Sequence, residues 1–197
     1  MLLTDCRPNL AQGPSAIQTE ESMQPKVSWK RIVLLAAVAV LAGGAYALTP
    51  ASSAPAERPD RILVVKSRRE LTLLKDGRVL KTYTVSLGRD PVGAKTRTGD
   101  HKTPEGVYRI DWRNPYSKFH LSLHISYPET RNTTAARRDG LEAGGDIMIH
   151  GLPSKLWWIG RFQRWVDWTD GCIAVTNSEI DQLWRIVPDG TPIEIRP

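Results

Sequence analysis

Apolar positions along this 197-residue chain change character twice. Ile32 to Leu48 form a 17-residue run without a charged side chain, directly preceded by Lys30 and Arg31. As a helix the run would be about 26 Å long at ~1.5 Å per residue, near the lower limit for crossing a bilayer. It has no polar face, which argues against a buried core helix. Residues 49–60 are rich in Pro, Ala and Ser and read as an extended linker. Residues 61–197 alternate in short stretches, as a folded domain does.

Most of those stretches read as strands. Ile62-Leu63-Val64-Val65 is a short apolar strand. Glu70–Leu74 and Val79–Leu87 flank Asp76-Gly77, a hairpin signal because both turn residues need positive φ. Leu71, Leu73, Val79, Tyr83, Val85 and Leu87 are assigned to one face. Residues 88–106, rich in Gly, Pro, Thr and Lys, read as a loop, and Gly106–Ile110 resumes as a strand. Phe119 to Ser126 alternates fully, with Phe119, Leu121, Leu123 and Ile125 towards a core and His120, Ser122, His124 and Ser126 away from it. Residues 129–145 read as a loop, Asp146–His150 and Ile173–Val175 as strands, and Pro192–Ile195 as a closing strand. Ile180, Leu183, Trp184 and Val187 share one helical face, with Asn177 as expected cap and Pro188 and Gly190 as stops. The domain is predicted to be mainly β with one amphipathic helix.

The basic residues before the apolar run place its N-terminal side in the cytoplasm, so residues from about 49 onward are exported. Two versions remain open. One is an uncleaved signal anchor with residues 1–31 as a cytoplasmic tail. The other is a cleaved signal peptide, with Ala45-Tyr46-Ala47 as the small-x-small site and Met23 as an alternative start. In either case the product lies on the outer face of the inner membrane, anchored or secreted.

A net charge of +6, with 41% hydrophobic and 24% charged residues, is ordinary for a globular protein. No basic run with interleaved aromatics marks a nucleic-acid reader, so no nucleic-acid partner is expected. Cys6 and Cys172 are the two cysteines, one on each side of the apolar run. An exported Cys172 is then a lone thiol, not half of a disulfide.

Cys172 lies in Thr169-Asp170-Gly171-Cys172-Ile173, and His150 closes Ile147-Met148-Ile149-His150-Gly151. A thiol is a weak nucleophile until an imidazole takes its proton, and that imidazole can later return it to a leaving amine. Gly171 lets backbone N–H groups approach a developing oxyanion. His150 and Cys172 can meet if their strands are neighbours. From single positions, an inert buried thiol and a satisfied core histidine are the commoner readings.

Three blocks together resemble the L,D-transpeptidase catalytic domain, the YkuD/ErfK family of peptidoglycan enzymes, across roughly residues 61–197. They are Gly93-Ala94-Lys95 through Gly99-Asp100 to Lys102-Thr103-Pro104-Glu105-Gly106-Val107-Tyr108, then Ile149-His150-Gly151, then Gly171-Cys172-Ile173 with Asn177. The resemblance implies a β-sandwich or barrel with a cleft site. Cys172 would be the nucleophile and His150 its base, with the Gly151 carbonyl fixing the imidazole tautomer. Gly171 and Cys172 would offer oxyanion amides, and carbapenems would acylate the thiol. No cofactor and no metal are implied. The family usually has Ser-His-Gly-Cys, with an arginine two residues after the cysteine; here Thr169, Asp170 and Ala174 stand at those positions. A charged Asp170 near the thiol would raise its pKa.

The expected reaction is acylation of Cys172 by a peptidoglycan stem peptide. The acyl group then passes to an amine acceptor, for cross-linking or protein attachment. Hydrolysis through the same thioester is an alternative, and so is a non-catalytic peptidoglycan-binding module. His120 and His124 form an HxxxH on a predicted strand without the glutamate of a helical zinc motif, so they are assigned to cleft lining. Asp170, Trp168 and Arg164 are further lining candidates. Trp157, Trp158, Phe162, Trp165 and Trp168 read first as a hydrophobic cluster fixing their loop, and second as an aromatic lid or stacking wall. Lys102 and Glu105 read as loop-fixing.

Overall fold

A computed structural model describes residues 56–197. The tail, the apolar run, most of the linker and Cys6 lie outside the described residues. Among the described residues no helix is long and apolar enough to cross a membrane.

The strands are β1 (Arg61–Val65), β2 (Glu70–Lys75), β3 (Arg78–Thr84), β4 (Gly106–Ser117), β5 (His120–Ile125), β6 (Met148–His150), β7 (Ile173–Ala174) and β8 (Pro192–Arg196). They run in the order β3-β2-β1-β8-β4-β5-β6-β7. β1–β8 and β6–β7 are parallel pairs and the others antiparallel. Asp76 and Gly77 both have positive φ, as the β2–β3 turn requires. Beyond β3 the chain crosses to the far edge strand. Ser86 N–H donates to the Ala174 carbonyl at 2.9 Å, and Ala174 N–H returns a bond at 2.8 Å. The two ends of the strand order therefore meet, which removes an open edge beside the candidate nucleophile.

Ile62, Val64, Leu71, Leu73, Ile110, Leu123, Ile125, Ile149, Ile173 and Ile193 are fully buried in one core. Each such side chain contributes about 1.5–3 kcal/mol relative to exposure. Helix α2 (Asn177–Ile186) lays Ile180 and Leu183 onto this core.

Four expectations need correction. Residues 129–145 contain a helix, α1 (Thr130–Arg138), whose first turn is closed by a reciprocal Glu129–Asn132 box. The cap of α2 is Thr176, paired with Glu179 in a capping box. Asn177 is the first helical residue instead, and its side chain serves another partner. Val79 is exposed, because the β2–β3 register shifts between Leu73 and Leu74. The alternation over Phe119–Ser126 does not separate core from solvent. Phe119 and Leu121 are only half-buried, whereas Ser122 is 1% exposed. The polar face of β5 turns into a cleft, and His120 leaves strand geometry with φ 72°.

The loop between β3 and β4 is held by buried charge. Lys66 Nζ donates to the carbonyls of Gly93 (2.6 Å) and Thr103 (3.0 Å) and to Glu105 Oε1 (2.8 Å). Lys102 Nζ donates to the Val92 carbonyl at 2.6 Å, so Lys102 and Glu105 both fix the loop as expected. Lys95 and Asp100 form a covered ion pair at 2.8 Å. Burial alone would raise the Asp100 pKa. The Lys95 ammonium and the N–H groups of Thr96, Arg97 and Lys102 overcome it and hold Asp100 at about 2. This stability is present above the ordinary carboxylate pKa and is lost as pH falls through about 2. Asp100→Asn leaves a buried lysine without its counter-charge and is expected to cost about 3 kcal/mol at pH 7. Urea unfolding checks this, and the loss of wild-type stability between pH 4 and 2 should shrink in the variant.

Candidate active site

β6 and β7 place the two chemical groups. In their parallel register Ile149 faces Ile173 and His150 faces Ala174. Cys172, two residues before Ala174, shares its side of the sheet, because side chains alternate with period two. His150 and Cys172 line one cavity of about 330 Å³, together with Asn114, Ser122, Phe119 and Met148.

His150 is 3% exposed. Its Nδ1 lies 2.7 Å from the Gly151 carbonyl oxygen. A carbonyl can only accept, so Nδ1 carries the proton and Nε2 of the neutral ring is left as a base. Burial pushes the imidazole down to about 4, against the Gly151 bond, which favours protonation. Phe119 packs on the ring at a centroid distance of 4.4 Å, and Trp168 meets it edge-on at 5.6 Å. Gly151 has no room for a side chain, since a Cβ there would lie 2.6 Å from Asn177 Oδ1 and 2.9 Å from the Phe119 carbonyl. Asn177 Oδ1 accepts the Leu152 N–H at 2.8 Å. The first turn of α2 thereby ties down the histidine strand.

The Cys172 thiol donates to the Asp146 carbonyl at 3.6 Å and makes no hydrogen bond with His150. Burial pushes its pKa up. The Met148 N–H opposes that shift, and the charges of Asp170 and Asp146 add to it. Both partners are therefore neutral near pH 7. Gly171 has φ 131°, and a Cβ there would lie 2.6 Å from the Lys102 carbonyl, so only glycine fits between the β3–β4 loop and the cysteine turn. The Gly171 N–H is already given to Thr169 Oγ1 at 3.1 Å. As placed, it cannot serve as one of the two expected oxyanion donors.

Several expected lining residues lie elsewhere. Asp170 points away from the cavity and accepts from Arg89 and, at 2.8 Å, from His101 Nδ1. These partners hold its carboxyl below the usual range, Arg89 first, against a smaller burial effect. His120 pairs with Asp181 of α2 at 2.8 Å. His124 pairs with Asp111 at 2.6 Å and stacks on Trp112. The two histidines thus engage different carboxylates, and among the described residues no three His, Cys, Asp or Glu side chains gather as a metal site. Arg164 is occupied by Glu179. Trp168 backs His150 and lines a neighbouring apolar groove with Leu152, Leu156, Phe162 and Val166. The other aromatics do not form the expected loop-fixing cluster. Trp157, Trp158, Phe162 and Trp165 are exposed, with one edge contact between Phe162 and Trp165 at 5.2 Å.

Sequence reasoning missed Asn114 and Ser122, which reach the cavity only through the β4–β5 pairing. It also missed Arg89 and His101. His101 sits inside the Gly99-Asp100-His101-Lys102 block, so its place in a matching segment was the available signal.

The model of the YkuD family, the L,D-transpeptidase catalytic domain, matches residues 59–195. The chain belongs to the YkuD family. Escherichia coli YafK is 30% identical over 158 residues, covering 75% of this chain and 56% of YafK. The chain thus spans little more than half of that relative. Bacillus subtilis YqjB is 28% identical over 139 residues, covering 68% of this chain and 69% of YqjB. Among solved structures, the helical cell shape determining protein Pgp2 from Campylobacter jejuni has the same fold. It superimposes with TM-score 0.51 at 23% identity, covering 71% of this chain and 48% of Pgp2. The mainly β YkuD fold expected from the sequence is therefore the observed one.

His150 of this YkuD domain gives a pH signature. It titrates near 6.5 when unfolded and about 4 when folded, so the unfolded chain binds more protons between those values. Stability from this residue falls as pH drops from 6.5 towards 4, by up to about 3 kcal/mol. Urea unfolding at pH 7 and 4.5 should show that loss in the wild type and not in His150→Asn. Equal losses in both proteins would contradict the burial of a neutral imidazole.

Proposed function

We propose that this YkuD domain is a peptidoglycan-modifying cysteine acyltransferase on the exported side of the inner membrane, held there or released according to the fate of Ile32–Leu48. The observation that carries the reading is the shared cavity of Cys172 and His150, with Nδ1 of the histidine fixed by the Gly151 carbonyl. That arrangement leaves Nε2 of His150 unprotonated in the cavity that the thiol lines.

The substrate is a stem peptide, attacked at an amide carbonyl between an L- and a D-centre. Thiol and imidazole start neutral. The thiol first turns from the Asp146 carbonyl towards His150. As Sγ bonds to the carbonyl carbon, its proton passes to Nε2. Of the two expected donors, the Cys172 N–H is the one left for the oxyanion, since Gly171 gives its N–H to Thr169. The C–N bond then breaks, the departing amine takes the proton from Nε2, and a thioester remains. An acceptor amine gives a proton to Nε2, attacks the thioester and releases the thiol, which regains that proton. Transfer to an amine makes a cross-link or a protein attachment.

A carbapenem tests the acylation half-reaction. Intact mass after incubation should rise by one drug-sized adduct in the wild type and not in Cys172→Ala. Product analysis on isolated muropeptides should then show new amide bonds to an added amine. Shortened peptides alone would replace the transfer step with hydrolysis, and absence of both adduct and Cys172-dependent product would overturn the catalytic reading.

A further inference from the structure

Ser122 is 1% exposed, yet its hydroxyl has no hydrogen-bond partner among the described residues. Leaving such a group unpaired costs about 1–3 kcal/mol, and folded proteins keep few of them. Ser86 and Thr169, also covered, are paired: Ser86 donates to Gln163 at 2.8 Å and Thr169 to the Cys172 carbonyl at 2.7 Å. The Tyr83 hydroxyl is likewise buried and unpaired, but Tyr83 does not line the cavity of Cys172, whereas Ser122 does.

Its position gives the unpaired hydroxyl a use. Ser122 stands opposite His150 on β6 and opposite Asn114 on β4. Directly opposed residues project to the same face with their Cβ atoms about 5 Å apart. Asn114 Oδ1 is taken by the Tyr116 N–H at 2.9 Å. His150 Nδ1 is taken by Gly151. Ser122 lines the cavity that holds Cys172, on the other side of His150 from β7.

We propose that Ser122 is a substrate-binding residue. Its hydroxyl hydrogen-bonds a main-chain polar group of the peptide that Cys172 acylates, on the β5 side of His150. A hydroxyl both donates and accepts, so it can serve a carbonyl or an N–H. Phe119 and Met148 supply the apolar walls of the same cavity. An apolar occupant would leave the hydroxyl unpaired, so this subsite discriminates in favour of polar backbone. The assignment rests on the stem-peptide reading above.

The test uses the full chain in detergent carrying Cys172→Ala, and a synthetic stem tetrapeptide that ends in an L-centre followed by D-alanine. Calorimetry should give an affinity that falls about five- to tenfold when Ser122→Ala is added, as for loss of one neutral hydrogen bond. The melting temperature should hold or rise, because the substitution removes no intramolecular bond. Tetrapeptide affinity unchanged by Ser122→Ala overturns the Ser122 assignment and leaves the stem-peptide reading intact. Weaker binding with a melting temperature several degrees lower makes Ser122 structural and overturns it as well. No tetrapeptide binding to Cys172→Ala with Ser122 in place overturns the stem-peptide reading and this subsite with it.

Discussion

The candidate site depends on one transverse row of backbone pairing. Ser86 bridges to Ala174, Ala174 faces His150, His150 faces Ser122 and Ser122 faces Asn114. Segments far apart in sequence are joined here at a fixed strand spacing of about 4.8 Å. A one-residue slip in any of these pairings would turn its side chains to the other face. Thiol, imidazole and unpaired hydroxyl share a cavity because this register is pinned. The apolar neighbours Ile149, Ile173 and Leu123, all fully buried, pin it from the opposite face.

The β3–β4 loop then sets the cysteine turn. Gly88 and Gly171 bring two backbone stretches together so closely that neither position accepts a Cβ. Lys66, Glu105, Lys95 and Asp100 hold the loop from beneath with buried charge. Arg89 and His101 hold it to the turn from above through Asp170. Arg89 pairs with the Asp170 carboxylate, whose charge adds to the upward push of burial on the thiol while the Met148 N–H and Lys95 oppose it. Burial remains the dominant influence on both Cys172 and His150, so the resting pair is neutral and not a preformed ion pair.

Much of the β framework was legible because its physics is local. The Asp76-Gly77 turn and the alternating runs around it specify a hairpin, and the spacing of Ile180 and Leu183 specifies an amphipathic helix. Cys172 and His150 were legible as chemistry, and the block order tied them to a family. What stayed hidden depends on pairing between distant segments. Ser122 looks solvent-facing in an alternating strand until the neighbouring strands make that face a cleft. Arg164 and His120 looked available until Glu179 and Asp181 came into reach. The occupied Gly171 amide follows from turn geometry that composition does not encode. Helix α1 was hidden because its residues, Thr130 to Arg138, bury only Ala136 and carry little apolar periodicity.

The most direct measurement is the pH dependence of Cys172 alkylation by iodoacetamide in the resting protein, followed by intact mass. A neutral thiol beside a neutral imidazole predicts a rate that climbs through the alkaline range, with its midpoint above that of an ordinary cysteine and no plateau near neutrality. A plateau reached below pH 7 that disappears in His150→Asn would contradict the account, because it would mean that thiolate and imidazolium are already paired before substrate arrives.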